Sequence, residues 1–258
     1  MSTVQTSIEN RIATIKINRP EQLNALSVQV LADLKKEFEA VEQDNGVGVI
    51  ILTGEGDKAF IAGADIKEMS IFSAEEAKKY AINGQSLTTY IENFPKPVIA
   101  AINGFALGGG CEFAMACHIR YASETARLGQ PEVGLGLIAG FGGTQRLPRL
   151  VGKGRALEIL LSGGMLSALD AKEMGLVNAI FPQESLMEVC VTLASKILRN
   201  GPIAIRETIS SVNEGLDLSL EDGLEQEAQR FGDIFESEDQ TEGTSAFVEK
   251  RPAKFNGK

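Results

Sequence analysis

Two glutamates, Glu112 and Glu132, each follow a glycine-containing turn, in the segments GGGCE and GQPE. They lie 20 residues apart, with a helix and a strand expected between them, enough chain to leave a site and return to it. Two carboxylates whose surroundings separate their proton affinities can divide acid and base work between them. Two solvated surface glutamates are the alternative, since the chain carries 35 acidic residues. A second feature adds chemistry. Ala62-Gly63-Ala64-Asp65 ends a short strand in small residues, and Gly108-Gly109-Gly110 precedes Glu112. A backbone N–H from near Ala64 and another from near Gly109 can converge on one oxygen. Donors aimed in that way stabilise negative charge as it develops on an enolate or alkoxide. Tight turns between buried elements explain the same glycines, and both explanations stand at this point.

The stretch Pro95 to Ala116 must position Glu112. Pro95 and Pro97 end any preceding helix. Val98 to Ile102 is an apolar run that reads as a buried strand. Asn103-Gly104 opens a glycine-dense turn, and a helix follows from Cys111 to near Tyr121. The free N–H groups of a helix start can meet negative charge there. Upstream, Arg11 to Asn18 predicts a strand. Ser27 caps a helix with Leu31, Leu34, Phe38 and Val41 on one stripe. Val47 to Thr53 is a β-branched strand and Lys58 to Ile61 a shorter one. Ser73 to Glu76 has capping-box spacing before a helix that runs to about Phe94. Downstream, Ala126 to Gly129 predicts a strand that leads into Gln130-Pro131-Glu132, followed by a loop from Gly134 to Gly143. Helical pieces follow to Gly175, and Leu176 to Phe181 is the last predicted strand.

Strand and helix alternate through the first three quarters of the chain, which argues an α/β class. From about Ser185 the pattern is helical, with Leu220, Leu224, Ala228, Phe231 and Phe235 on one face. The expected organisation is a core over residues 1–195 that carries the site and a helical region over 196–258. The apolar face of that region must pack on the core or on another subunit.

With 258 residues, 43% of them hydrophobic, the chain can bury one large core. It holds 25 basic against 35 acidic residues, a net charge of −10. That balance argues against a nucleic-acid partner, whose phosphates lysine and arginine must neutralise. The three cysteines, Cys111, Cys117 and Cys190, form no C-x-x-C pair, so neither a disulfide framework nor a zinc site is signalled, and a reducing cytoplasm fits. No signal-peptide core and no run of membrane-spanning length is present, so no membrane association is expected. Arg146, Arg149, Lys153 and Arg155 read as a solvated helix face, Cys111 and Cys117 as core thiols, and Glu236 to Asp239 as surface.

Six segments, in order, carry a further likeness: NRPEQLNAL (Asn18–Leu26), KAFIAGADIKEM (Lys58–Met69), PKPVIAAINGFALGGGCEFAM (Pro95–Met115), GQPEVGLG (Gly129–Gly136), GFGGTQRL (Gly140–Leu147) and SAFVEKR (Ser245–Arg251). Together they resemble the crotonase superfamily, in its branch of short-chain enoyl-CoA hydratases (3-hydroxybutyryl-CoA dehydratases). The resemblance implies a ClpP-like α/β spiral of repeated ββα units with a carboxy-terminal helical region for trimer formation, with trimers pairing into hexamers. It implies a lyase of fatty acid metabolism acting on a trans-2-enoyl-CoA thioester, with no cofactor and no metal.

In that likeness the thioester carbonyl sits between the N–H groups of Ala64 and Gly109. Glu112 and Glu132 match the family's two catalytic glutamates. Both would hold the attacking water; Glu112 would activate it and Glu132 would exchange the α-carbon proton. Ala62, Gly63, Asp65, Ile66 and Lys67 would line the CoA path, and Phe231, Phe247 and Lys250 match carboxy-terminal CoA contacts. Retention of both glutamates favours hydratase over double-bond isomerase or another crotonase-fold reaction. A non-catalytic RNA-binding relative is the remaining alternative. The chain departs from the family pattern at His118, where aspartate is common, and at Ala139, where proline is common in the loop that shapes the acyl pocket.

Overall fold

The protein is described by a computed structural model covering residues 2–258. Its amino-terminal part holds β1 (Val4–Glu9), β2 (Ile12–Ile17), α1 (Val28–Gln43), β3 (Val49–Gly54), β4 (Ala59–Ile61), α2 (Ile66–Met69) and α3 (Ala74–Glu92). The middle holds β5 (Val98–Ile102), β6 (Phe105–Leu107), α4 (Gly109–Ala116), β7 (Ile119–Ser123), β8 (Arg127–Gly129), α5 (Gly143–Val151), α6 (Lys153–Ser162), β9 (Met165–Ser167), α7 (Ala168–Glu173) and β10 (Ala179–Phe181). Helices α8 (Leu186–Ile197), α9 (Pro202–Gly215), α10 (Leu220–Ile234) and α11 (Glu238–Glu249) close the chain.

Two sheets organise these elements. A six-stranded sheet runs β1-β2-β3-β5-β7-β10, and a four-stranded sheet runs β4-β6-β8-β9. The strand pairs β3-β4, β5-β6 and β7-β8 repeat one device: the first strand joins the large sheet, the second joins the small one, and helix follows. Successive ββα turns therefore stack as a spiral. Beyond the antiparallel β1-β2 pair the large sheet is parallel. The small sheet is parallel through β4-β6-β8.

Parallel strands covered on both faces read as continuous apolar runs, and all of β3 is buried. Ile50 and Leu52 point into the main core with Phe38, Phe60, Phe94 and Phe113. Val49 and Ile51 point the other way, onto Leu186, Cys190 and Ala194 of α8. Both predicted caps form: the Ser27 side chain accepts from the Val30 N–H, and Ser73 with Glu76 makes a capping box.

Four sequence expectations change. Val4 to Glu9, unread as a strand, pairs antiparallel along the whole of β2. The glycine-dense turn after Gly104 contains β6, which the small sheet recruits. The helix bearing Glu112 ends at Ala116 and not near Tyr121, because Cys117 turns extended (φ −71°, ψ 147°) and Ile119 to Ser123 is claimed by β5 and β10 on either side. Asp239 is buried and not at the surface, its carboxylate accepting from the Asn256 and Gly257 N–H groups of the carboxy-terminal tail.

The expected apolar face of α10 is exposed in the single chain: Leu220, Leu224, Phe231 and Phe235 are all open to solvent, and Leu216 beside it at the end of α9 is 78% exposed. Among the described residues no helix is long and apolar enough to cross a membrane.

Candidate active site

Three neighbouring parallel strands, β4, β6 and β8, end side by side, and each delivers one piece of the site. Ile61 pairs with Ala106, and Leu107 with Gly129. The segment Ala62 to Asp65 leaves the end of β4, α4 begins just past β6, and Gln130-Pro131-Glu132 leaves the end of β8. Ligands of parallel α/β sheets gather beyond the carboxyl ends of strands for this reason.

Gly108 makes the junction. Its φ of +52° is one that glycine adopts without strain. A Cβ at Gly108 would stand 2.7 Å from a Glu132 carboxylate oxygen. Its N–H donates to the Gly129 carbonyl at 2.9 Å, holding the two turns together.

Glu112 lies in the first turn of α4 and is 1% exposed. Its Oε1 accepts from the Phe141 N–H at 2.7 Å and the Gly143 N–H at 2.6 Å. Burial is the largest influence on its carboxyl and, with the nearby Glu132 charge, pushes the pKa up to about 7 against the opposing pull of those two donors. Burial also raises the pKa of Glu132. The buried Gln130 amide, with its NH2 turned to Glu132, donates to the two carboxylate oxygens at 3.0 and 3.1 Å. A Cβ on Gly143 would meet Glu112 Oε1 at 2.9 Å and the other amide atom of Gln130 at 3.0 Å, so the two glutamate environments adjoin at that glycine. A buried carboxyl held near 7 beside a half-buried one whose pKa is also raised is equipped to take one proton and give another.

The amides of Ala64 and Gly109 flank Leu26. Leu26 bridges Ala64 in parallel fashion, its N–H donating to Gly63 O at 2.9 Å and its carbonyl accepting from the Asp65 N–H at 2.7 Å. That pattern engages the residues on either side of Ala64 and turns the Ala64 N–H away from Leu26. Gly109 opens α4, where N–H groups have no partner inside the helix. A Cβ on Gly109 would touch the Leu26 side chain at 3.1 Å and the Phe141 ring at 3.2 Å.

The expected CoA contacts separate into two places. A groove of about 690 Å³ is lined by Arg19, Ser27, Ala64, Asp65, Ile66 and Lys67, among others. Within it Asp65 pairs with Arg19 at 3.1 Å and caps α2 through the Glu68 N–H, while Ile66 and Lys67 are exposed. Ala62 and Gly63 lie one step back, at the strand end. Phe231, Phe247 and Lys250 do not line this groove; they are exposed on α10 and at the end of α11.

His118 is held by the backbone on both sides. Its Nδ1 accepts from the Val98 N–H at 2.9 Å and its Nε2 lies 3.0 Å from the Glu92 carbonyl; burial lowers its pKa and favours the neutral ring. Arg146, expected on a solvated face, is instead tucked under the Glu112 loop. It pairs with Glu92 at 2.7 Å and donates to the Phe141 carbonyl at 3.1 Å. Arg146 and Gln130 are the polar residues of this neighbourhood that sequence reasoning missed as parts of the site. Both lie inside segments that carried the family likeness, in GFGGTQRL and GQPEVGLG.

Residues 7–258 match the family described as enoyl-CoA hydratase/isomerase. The chain is 46% identical to a crotonyl-CoA hydratase of Syntrophomonas wolfei over 250 residues, covering 97% of this chain and 96% of that protein. It is 45% identical to a short-chain-enoyl-CoA hydratase of Clostridium acetobutylicum over 243 residues, covering 94% and 93%. Among solved structures, an enoyl-CoA hydratase from Bacillus anthracis superposes with a TM-score of 0.96 at 40% identity, over 99% of this chain and 100% of that one.

Proposed function

The chain belongs to the enoyl-CoA hydratase/isomerase family, and on that premise we propose that it reversibly hydrates short-chain trans-2-enoyl-CoA thioesters to 3-hydroxyacyl-CoA. The observation that carries the proposal is the Glu112 carboxyl, buried at a helix start, held by two backbone donors and poised at about 7 beside a second, half-buried glutamate.

In the proposed reaction both glutamates hold one water. Its oxygen attacks the β-carbon while Glu112 takes its proton. The electron pair of the conjugated double bond moves to the thioester oxygen, which lies between the N–H groups of Ala64 and Gly109. As the enolate collapses, Glu132, protonated at the outset, delivers its proton to the α-carbon, and the proton taken by Glu112 then passes to Glu132 and restores both groups. The sum is one water added, and the reverse sequence eliminates it.

Loss of one such oxyanion donor costs on the order of 10²–10³ in rate, and a positioned acid or base contributes roughly 10²–10⁴. No electron leaves the substrate, so the proposed reaction calls on no resident redox cofactor. The 62–67 groove would take the CoA moiety. Phe231, Phe247 and Lys250 would reach it from a neighbouring subunit of a homotrimer or hexamer. Support for assembly comes from the exposed apolar face of α10. Residues 196–258 as a distinct assembly region, and a cytoplasmic location, belong to the same proposal.

Product analysis tests the reaction type. Incubation with crotonyl-CoA in H2¹⁸O is expected to give 3-hydroxybutyryl-CoA carrying the label. A shifted double bond without label would assign isomerisation instead.

A further inference from the structure

We propose that Arg146, clamped by Glu92, is the positioning residue that holds the Phe141–Gly143 amides against the Glu112 carboxylate. The proposal rests on the reading of Glu112 as the water-activating base. Among the described residues Glu112 has no ion-pair partner; its anion is held by the N–H groups of Phe141 and Gly143. The Phe141 N–H sits on a glycine-rich loop, with Gly142 at φ +108°, and the Gly143 N–H opens α5. A helix start leaves the Gly143 N–H free to meet an anion, but a glycine-rich loop has no intrinsic reason to aim the Phe141 amide at the same oxygen.

Arg146 supplies the reason. Its Nη1 donates to the Phe141 carbonyl at 3.1 Å, on the peptide that follows the Phe141 N–H. The same nitrogen meets Thr88 Oγ1 at 3.1 Å, and Thr88 itself donates to the Phe141 carbonyl at 2.9 Å. The remaining guanidinium edge is a two-point pair with Glu92, Nε to Oε1 at 3.0 Å and Nη2 to Oε2 at 2.7 Å. The Arg146 side chain is only 12% exposed, so this planar fork is fixed on two sides.

The anchor on α3 is itself secured. The Glu92 backbone carbonyl receives Asn213 Nδ2 of α9 and faces His118 Nε2. The guanidinium acts on Glu112 in two ways. It pins the loop so that both amides face the carboxylate, and its positive charge favours the ionised carboxyl. Gly142 fits the arrangement, since a Cβ there would stand 2.2 Å from Arg146 Nη1.

The test compares wild type, Arg146→Met, Arg146→Lys, Glu92→Gln and Glu112→Gln in crotonyl-CoA hydration as a function of pH. Misplacing the base by a fraction of an ångström to an ångström costs on the order of 10–100-fold. Arg146→Met is expected to lose that much kcat with KM within about twofold. The acid limb of its kcat/KM profile should move to higher pH, because Glu112 ionises less readily. Arg146→Lys should recover part of the rate and part of the shift.

A normal rate and profile in Arg146→Met beside an inactive Glu112→Gln overturns the positioning role and leaves the Glu112 reading intact. An active Glu112→Gln overturns the reading underneath. A lower rate with an unmoved acid limb assigns Arg146 a merely structural part and also overturns the proposal. If Arg146→Met does not fold, Glu92→Gln decides the matter in the same way, by whether its acid limb moves upward.

Discussion

Replacing Glu112 with glutamine should stabilise the folded protein at alkaline pH while it abolishes turnover. Burial lifts the Glu112 carboxyl from its ordinary value of 4.5 to about 7. Between those values the folded chain binds more protons at this site than the unfolded chain does. Stability therefore falls as pH rises through this window, and the whole cost of ionising a buried carboxyl is present above about pH 7. At 1.36 kcal/mol per pH unit, the penalty grows by roughly 2–3 kcal/mol between pH 5 and pH 8. Glutamine does not ionise, and its carbonyl oxygen can still accept from the Phe141 and Gly143 N–H groups. Urea unfolding of wild type and Glu112→Gln at pH 5 and pH 8, at one fixed protomer concentration, reads the effect directly. The stability advantage of the variant should be about 2–3 kcal/mol larger at pH 8 than at pH 5. A difference independent of pH would refute the claim that burial raises the Glu112 carboxyl above its ordinary range.

Three further outcomes follow from named contacts. Gly108→Ala places a Cβ 2.7 Å from a Glu132 oxygen at a positive φ, so it should cost about 1–3 kcal/mol of stability and, by displacing Glu132, on the order of 100-fold in kcat; thermal melts and steady-state rates check both. The three cysteines are buried, with thiol pKa values pushed up to about 12 by burial, so a disulfide reagent at pH 7.5 should find no thiol in the native protein and all three after denaturation. Leu224→Asp puts a charge on the exposed apolar face of α10, and burying it unpaired in a subunit contact costs several kcal/mol; sedimentation should show dissociation from trimer or hexamer, whereas an unchanged mass would move the interface elsewhere.

How much of this was legible in the sequence depended on whether the signal was local. Ser27, Ser73 and the stripe through Leu31, Leu34, Phe38 and Val41 are local signals, and those helices form where the residues predict. The strands that escaped notice owe their conformation to partners distant in the chain. β6 is three residues long and exists because β4 and β8 flank it. Ile119 to Ser123 follows an Ala-Met-Ala run that suits a helix, and only its pairing with β5 and β10 draws it into the large sheet.

The same division holds at the site. Glu112, Glu132 and the glycines beside them were visible because a glycine turn next to a carboxylate is a local pattern. Arg146 was misjudged because its partners, Glu92 and the Phe141 carbonyl, depend on how α3 packs against α5. Asp239 was misplaced for a similar reason: its partners are backbone amides of the tail, 17 and 18 residues on.

The most direct measurement follows loss of the conjugated enoyl-thioester absorbance of crotonyl-CoA with wild type, Glu112→Gln and Glu132→Gln side by side. Fast loss with wild type, and a rate lower by at least about 100-fold in each variant, is the predicted result. Near-normal turnover in either variant, with its fold intact, would contradict the assignment of the two glutamates as the acid–base pair.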